Sequence, residues 1–337
     1  MSAADPNAEL FRLIRLADSA TAQAVFGPLH RHLAHIQEAF RDLNAPRGQP
    51  AYRLTLDAQG DELMVRARAG GDADIERVER IIEALGDLVS RKGRIREGDV
   101  LAAISLSEGA VDNAAPMSLP QVGGLTLRTP RQVHYVEALR DEEYDLVFGV
   151  GPAGTGKTFL AVAAAVEALK QERFDRIIVT RPAVEAGEKL GYLPGDLAEK
   201  VDPYLQPIWD AFRSQMSEND LKARRERRQI EVAPLAFMRG RTLTNAFVIV
   251  DEAQNATIPQ MKMVLTRLGE GSRMVVTGDP SQIDLPRAEQ SGLAHAVAIL
   301  ENLPRVDVIR FASQDVVRHR LVAHIIEAYH RDEGSRA

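Results

Sequence analysis

Two kinds of hydrophobic spacing divide this chain of 337 residues. In the first third, apolar side chains either alternate with polar ones or recur at helical intervals. Leu10 to Leu16 reads as a short strand, and Thr21 to Phe40 as a helix that can restart at Pro28. Tyr52-Arg53-Leu54-Thr55-Leu56 and Glu62-Leu63-Met64-Val65-Arg66 alternate like half-buried strands, joined by a turn over Asp57-Ala58-Gln59-Gly60-Asp61. Ile75, Val78, Ile81, Ile82 and Leu85 then mark a helix over Asp74 to Val89. From about Ile104 to Thr129 the period is lost among Ser, Gly, Ala and Pro, which predicts a linker. Beyond Pro130 the pattern changes to apolar runs at Leu146 to Val150, Ile177 to Thr180, Phe247 to Val250, Met274 to Thr277 and Val306 to Phe311. Apolar strands alternating with helical patterns predict a parallel sheet covered on both faces. The expected organisation is a small N-terminal α/β domain over 1–103, a linker over 104–129 and a larger α/β domain over 130–337.

Composition narrows the function classes. Hydrophobic residues make up 45% of the chain, enough for a substantial core although aromatics are only 5%. A formal net charge of -6 argues against a globally basic nucleic-acid coat protein and leaves room for a local basic groove. The absence of cysteine removes disulfides and thiolate metal sites and fits a reducing compartment, with the cytoplasm as the expected location. Met1-Ser2-Ala3-Ala4-Asp5-Pro6 lacks the basic-then-apolar order of a signal peptide, and no apolar stretch is long enough to cross a bilayer, so no membrane partner is expected. The N-terminal module has the β-rich, helix-covered layout of a KH-like RNA-binding domain. It carries Gly70-Gly71-Asp72 at a strand-to-helix junction instead of a GXXG loop between helices, so an oligomerisation or spacer role stays open.

The densest chemical signal is Gly151-Pro152-Ala153-Gly154-Thr155-Gly156-Lys157-Thr158, a match to G-x-x-x-x-G-K-[ST] between an apolar run and an alanine-rich segment. Small residues let consecutive amides curl around a phosphate at the positive end of a helix. Lys157 is expected to neutralise the β and γ phosphates of ATP, and Thr158 to ligate Mg²⁺. The run Phe247 to Val250 ends in Asp251-Glu252. In a doubly wound sheet these acids emerge at the ligand crevice, Asp251 toward Mg²⁺ and Glu252 as general base for an attacking water. A third strand ends in Gly278-Asp279-Pro280-Ser281-Gln282, where Gln282 is the candidate for sensing the terminal phosphate. Gln132, about 20 residues before Gly151, is the candidate for reading the adenine edge. Arg181 can grip a nucleic-acid phosphate or pair with Glu185 or Glu188. Lys222 to Arg228 is either a nucleic-acid contact or a solvated helix face. Arg318 is the arginine-finger candidate, with pairing to Asp315 as its alternative.

Together these segments, with Lys189-Leu190-Gly191-Tyr192-Leu193-Pro194-Gly195-Asp196 and Pro234 to Thr242, resemble the PhoH-like ATPases from about Arg128 to Tyr329. The resemblance implies a RecA-like P-loop NTPase domain, similar to the motor core of superfamily 1 helicases, with ATP and Mg²⁺ as ligands. It also implies a role in RNA metabolism with single-stranded RNA, and association with an endoribonuclease. One P-loop and no second core leave one side of the nucleotide uncovered. This predicts a homo-oligomer, most simply a ring, with Arg318 or Arg310 supplied in trans. A nucleotide-gated scaffold with slow hydrolysis and a small-molecule kinase are the alternatives. The kinase is disfavoured because Glu252 directly follows the strand acid and suits activation of water.

Overall fold

The computed structural model describes residues 9–42, 52–68, 70–108, 118–182, 197–285 and 291–317, with side chains described from 205 in the helix that begins at 197. Its contacts separate two compact units, Met1–Pro130 and Arg131–Ala337.

In the first unit, β1 (Glu9–Arg15), β2 (Leu54–Gln59) and β3 (Glu62–Arg68) form an antiparallel sheet in the order β1-β3-β2. The pairing Gln59↔Glu62 shortens the hairpin turn to Gly60 and Asp61. The expected five-residue turn is corrected accordingly, because Asp57 and Gln59 are strand residues pointing outward. Helices α1 (Ser19–Phe26) and α2 (Arg31–Ala39) are separated by a 3-10 turn at Pro28–His30, and the Asp18 carboxylate caps α1 by accepting from the Thr21 amide at 2.7 Å. Helix α3 (Asp72–Lys92) lays Ile75, Val78, Ile81, Ile82, Leu85 and Leu88 into a core with Leu54, Leu63 and Val65.

The segment expected to be a linker contains structure. Helix α4 (Glu97–Glu108) runs past Ile104, and Val100, Ala103 and Ile104 join the same core. A two-residue hairpin follows, β4 (Gln121–Val122) and β5 (Leu125–Thr126), held by the Lys92 ammonium donating to the Gly124 carbonyl at 2.8 Å. Helix α4 packs against both α2 and α3. Its apolar residues therefore need no single stripe, and its sequence shows no clean period.

The second unit is a six-stranded parallel sheet of β6 (Leu146–Val150), β7 (Arg176–Arg181), β8 (Ile230–Pro234), β9 (Ala246–Val250), β10 (Arg273–Gly278) and β11 (Val306–Arg310), in the order β11-β6-β10-β9-β7-β8. Helices α5 (Pro130–Arg140), α6 (Lys157–Lys170), α7 (Leu197–Arg213), α8 (Glu218–Glu226), α9 (Ile258–Leu265) and α10 (Gly292–Leu300) connect and flank it. Strand β10 lies between the phosphate-loop strand β6 and the acidic strand β9, the RecA-like arrangement of a P-loop NTPase. Strand β8 is the addition to the five expected strands. Among the described residues, no helix is long and apolar enough to cross a membrane.

Candidate functional site

The site forms at the carboxyl ends of β6, β7, β9 and β10, where a cleft of about 390 Å³ is lined by loop residues Ala153, Gly154, Gly156, Lys157 and Thr158, by Arg181, Asp251, Glu252, Asp279 and Gln282, and by Pro207 and Ala211 of α7. A larger hollow of about 700 Å³ includes Asp145, Ser272 and Arg273 beside the amino ends of β6 and β10. We assign the chemistry to the smaller cleft, because ligands of open α/β sheets sit beyond the carboxyl strand ends.

Strand β6 ends at Val150 and the chain turns at Gly151, whose φ is 145°. A Cβ there would stand 2.4 Å from the Phe311 carbonyl, so only glycine permits this approach of the loop to the chain beyond β11. Gly156, at φ 86°, precedes α6 without any side-chain cap, which leaves the helix's first amides facing the loop. Lys157 is buried. Its ammonium donates to the Gly151 and Pro152 carbonyls at 2.7 Å each and to Thr155 Oγ1 at 3.4 Å. Burial lowers its pKa, opposed by the nearby Asp279, Glu252 and Asp251. The cation thus sits on loop carbonyls at the place where phosphate oxygens are its stronger partners. Gln132 is buried behind the loop and donates to the Thr155 carbonyl at 3.0 Å.

Asp251 follows the fully buried β9, and its amide is held by the Thr180 carbonyl at 2.8 Å. Its Oδ1 accepts from Thr158 Oγ1 at 2.6 Å and from Thr277 Oγ1 at 2.8 Å. A threonine hydroxyl and a carboxylate in contact are the hard-oxygen pair that suits Mg²⁺ alongside substrate phosphates and water. Among the described residues, no group of three or more His, Cys, Asp or Glu side chains could hold a metal by itself. The donor set therefore fits an ion that arrives with a nucleotide.

Glu252 adopts φ 50° and ψ 39°, left-handed backbone that costs a non-glycine residue about 1–2 kcal/mol. The turn projects its carboxylate into the cleft. There Oε2 accepts from Gln254 Nε2 at 2.5 Å, and Oε1 lies 3.6 Å from an Arg181 nitrogen. Gln254 is itself buried, and its Oε1 accepts from the Asp279 amide at 3.0 Å. Asp279 in turn accepts from the Ala153 amide at 2.9 Å and from Ser281. Glu252, the loop after β10 and the phosphate loop are therefore joined through two side chains, Gln254 and Asp279. Sequence reasoning attached no role to either. Gln282 lines the cleft with an exposed side chain, and its amide donates to the Asp279 carbonyl at 3.0 Å.

The network yields a first expected result. A Cβ on Gly278 would stand 2.7 Å from Gln254 Oε1 and 2.6 Å from Leu293 Cδ2. Gly278→Ala should lower stability by about 1–3 kcal/mol through overpacking and slow turnover more than it weakens nucleotide binding. A denaturant midpoint and a turnover number both equal to the parent's would refute this reading of the network.

The remaining candidates divide. Arg181 pairs with Asp251 and Glu252, while Glu185 and Glu188 lie outside the described residues, as does Arg318. Asp315 is buried, accepts from the Ala312 amide and pairs with Arg131 at 3.3 Å. Arg310 is paired with Glu301. Within the basic run, Arg225 stacks over Trp209 at 4.3 Å and Arg224 bonds Gln229, so part of that charge serves packing.

A model of the PhoH-like protein family matches residues 124–330. A PhoH-like protein of Bacillus subtilis is 47% identical over 289 residues, covering 82% of this chain and 87% of the relative. Protein PhoH of Escherichia coli K12 is 41% identical over 255 residues, covering 71% and 72%. Among solved structures, the chain is similar to the SWI2/SNF2 ATPase core of Sulfolobus solfataricus in complex with dsDNA. The identity is 16%, the TM-score 0.35, and the coverage 59% of this chain and 48% of that one.

Proposed function

The chain belongs to the PhoH-like protein family, and from that premise we propose that it is a magnesium-dependent ATPase coupled to single-stranded RNA. The observation that supports hydrolysis best is the convergence of Lys157 and Thr158, beyond β6, with Asp251 and Glu252, beyond β9, on one cleft. Bound Mg²⁺ would be held by Thr158 and Asp251 and would supply charge compensation at the phosphates. The chain's own groups do the rest. Loop amides and Lys157 bind and orient the triphosphate, and Glu252, fixed by Gln254, accepts a proton from water aimed at the terminal phosphorus.

The coupling to RNA, acting by remodelling or by assisting an endoribonuclease in the cytoplasm, rests on the family resemblance. It gains support from the exposed Lys222 of α8 and the exposed Arg227 and Arg228 that follow the helix. The lone core, with one face of its nucleotide uncovered, supports a homo-oligomeric ring in which Arg318 acts across the interface. Phosphate release measured with and without single-stranded RNA, with mass determined in the same buffer, tests these readings together. Stimulation of at least about tenfold by RNA, or about 1.4 kcal/mol of barrier, in an oligomer is the expected result. Slow turnover indifferent to RNA would favour the nucleotide-gated scaffold, and a monomer would remove the ring.

A further inference from the structure

Strand β1 is an outer strand of its antiparallel sheet, and among the described residues it pairs with β3 alone. The Leu16 amide donates to the Asp61 carbonyl at 2.9 Å, which continues the β1–β3 register by one step. Antiparallel ladders alternate between pairs that exchange hydrogen bonds and pairs that do not. Leu10, Arg12 and Ile14 therefore turn their backbone groups toward β3, while Glu9, Phe11, Leu13 and Arg15 turn theirs to the outer edge. The same four residues carry their side chains on the sheet face away from the core, where Phe11 is 73% and Leu13 47% exposed. An edge that offers main-chain partners together with apolar side chains is a template for another strand.

The seven residues Glu-Leu-Phe-Arg-Leu-Ile-Arg are complementary to themselves in opposite directions. An antiparallel pair centred on Arg12 sets Glu9 opposite the partner's Arg15, Leu10 opposite the partner's Ile14 and Phe11 opposite the partner's Leu13. Moving the centre to Phe11 would instead set Glu9 opposite a leucine, and moving it to Leu13 would set Phe11 opposite an arginine. Within one copy, β3 already places Arg68 beside Glu9 and Glu62 beside Arg15. Joining two copies on Arg12 thus extends a row of Arg68, Glu9, Arg15 and Glu62 whose charges alternate in sign, and a second row in which Phe11 meets Leu13. The one like-charge pair, Arg12 against its copy, falls on the axis, where each guanidinium brings Glu79 of its own α3 at 3.6 Å.

We propose that β1 is a homodimerisation edge: two copies of the chain pair their β1 strands antiparallel about a two-fold axis at Arg12, fusing two three-stranded sheets into one of six strands. The interface is built from the first unit alone and does not rest on the ATPase reading. By itself it gives a dimer, and added to a ring it joins two rings face to face.

Sedimentation of the full-length protein at low salt tests this with Glu9→Arg, Arg15→Glu and Leu13→Pro. Each charge reversal opposes like charges at both ends of the strand pair, so association should weaken about tenfold or more and the mass should fall toward half the parent's. An equimolar mixture of the two reversal variants opposes unlike charges again and should recover the parental mass, which a folding defect would not do. Leu13→Pro removes an N–H that faces away from β3, sparing the ladder within the chain, and should also halve the mass. Unchanged mass in the three variants, no recovery on mixing, or a monomeric parent overturns the proposal. A monomeric parent whose Phe11 and Leu13 amides resist hydrogen exchange would assign the edge to another segment of the same chain. A parent of two chains that falls to one in the variants supports this edge and removes the ring, whereas a larger parent that keeps its mass in every variant leaves the ring and removes this edge.

Discussion

Lys157→Ala should lose ATP affinity by roughly 100-fold, equivalent to about 2.7 kcal/mol. The ammonium is the buried positive charge at the centre of the loop, and hydrogen bonds to charged groups contribute about 1.5–3 kcal/mol each. The unbound fold should change less. Removing the side chain takes away its contacts to the Gly151 and Pro152 carbonyls, but it also removes a cation whose burial already disfavours the charged form. These contributions oppose each other. Calorimetry with ATP and magnesium, beside a thermal melt without nucleotide, separates the two effects. Affinity equal to the parent's would mean that the phosphate is bound elsewhere.

Glu252→Gln is the complementary experiment, since it should spare binding and remove chemistry. Glutamine fills the same volume and offers an oxygen to Gln254 Nε2, so the left-handed turn and its hydrogen bond have no reason to change. What is lost is the ability to accept a proton. General-base contributions of 10²–10⁴-fold set the expected fall in kcat, about 3–5 kcal/mol of barrier. ATP affinity should hold or improve, because a negative charge beside the terminal phosphate has been neutralised. Single-turnover hydrolysis at the parental rate would show that another group activates the water, and Asp279 would be the next carboxylate to examine.

The phosphate loop and the acid pair were legible because their chemistry constrains residue type and order within a few positions of one chain segment. Gly151 must be glycine where Phe311 approaches, and Asp251 must close an apolar strand. Arg181 was legible only as a cation. Its sequence neighbours Glu185 and Glu188 lie outside the described residues, while two of its partners, Asp251 and Glu252, 70 and 71 positions later, come from the end of the adjacent strand by parallel register. Gln254 and Asp279 escaped notice for the same reason, since neither residue type signals a link between two strand-end loops until β9 and β10 are placed side by side.

Strand β8 was missed because it is an edge strand paired only with β7. It alternates Ile230, Glu231 and Val232 instead of forming an apolar run, and it ends in Pro234. In the first unit, α4 hid among small residues that are buried on more than one side.

The phosphate loop is also stitched to the far edge of the sheet. Phe311 closes on Gly151, and the Val317 amide donates to the Gly154 carbonyl at 2.9 Å. A carbonyl in the middle of the loop is thus one hydrogen bond away from the stretch of backbone that leads directly to Arg318. Any reshaping of the loop around an incoming anion must either carry Val317 along or let go of its hydrogen bond.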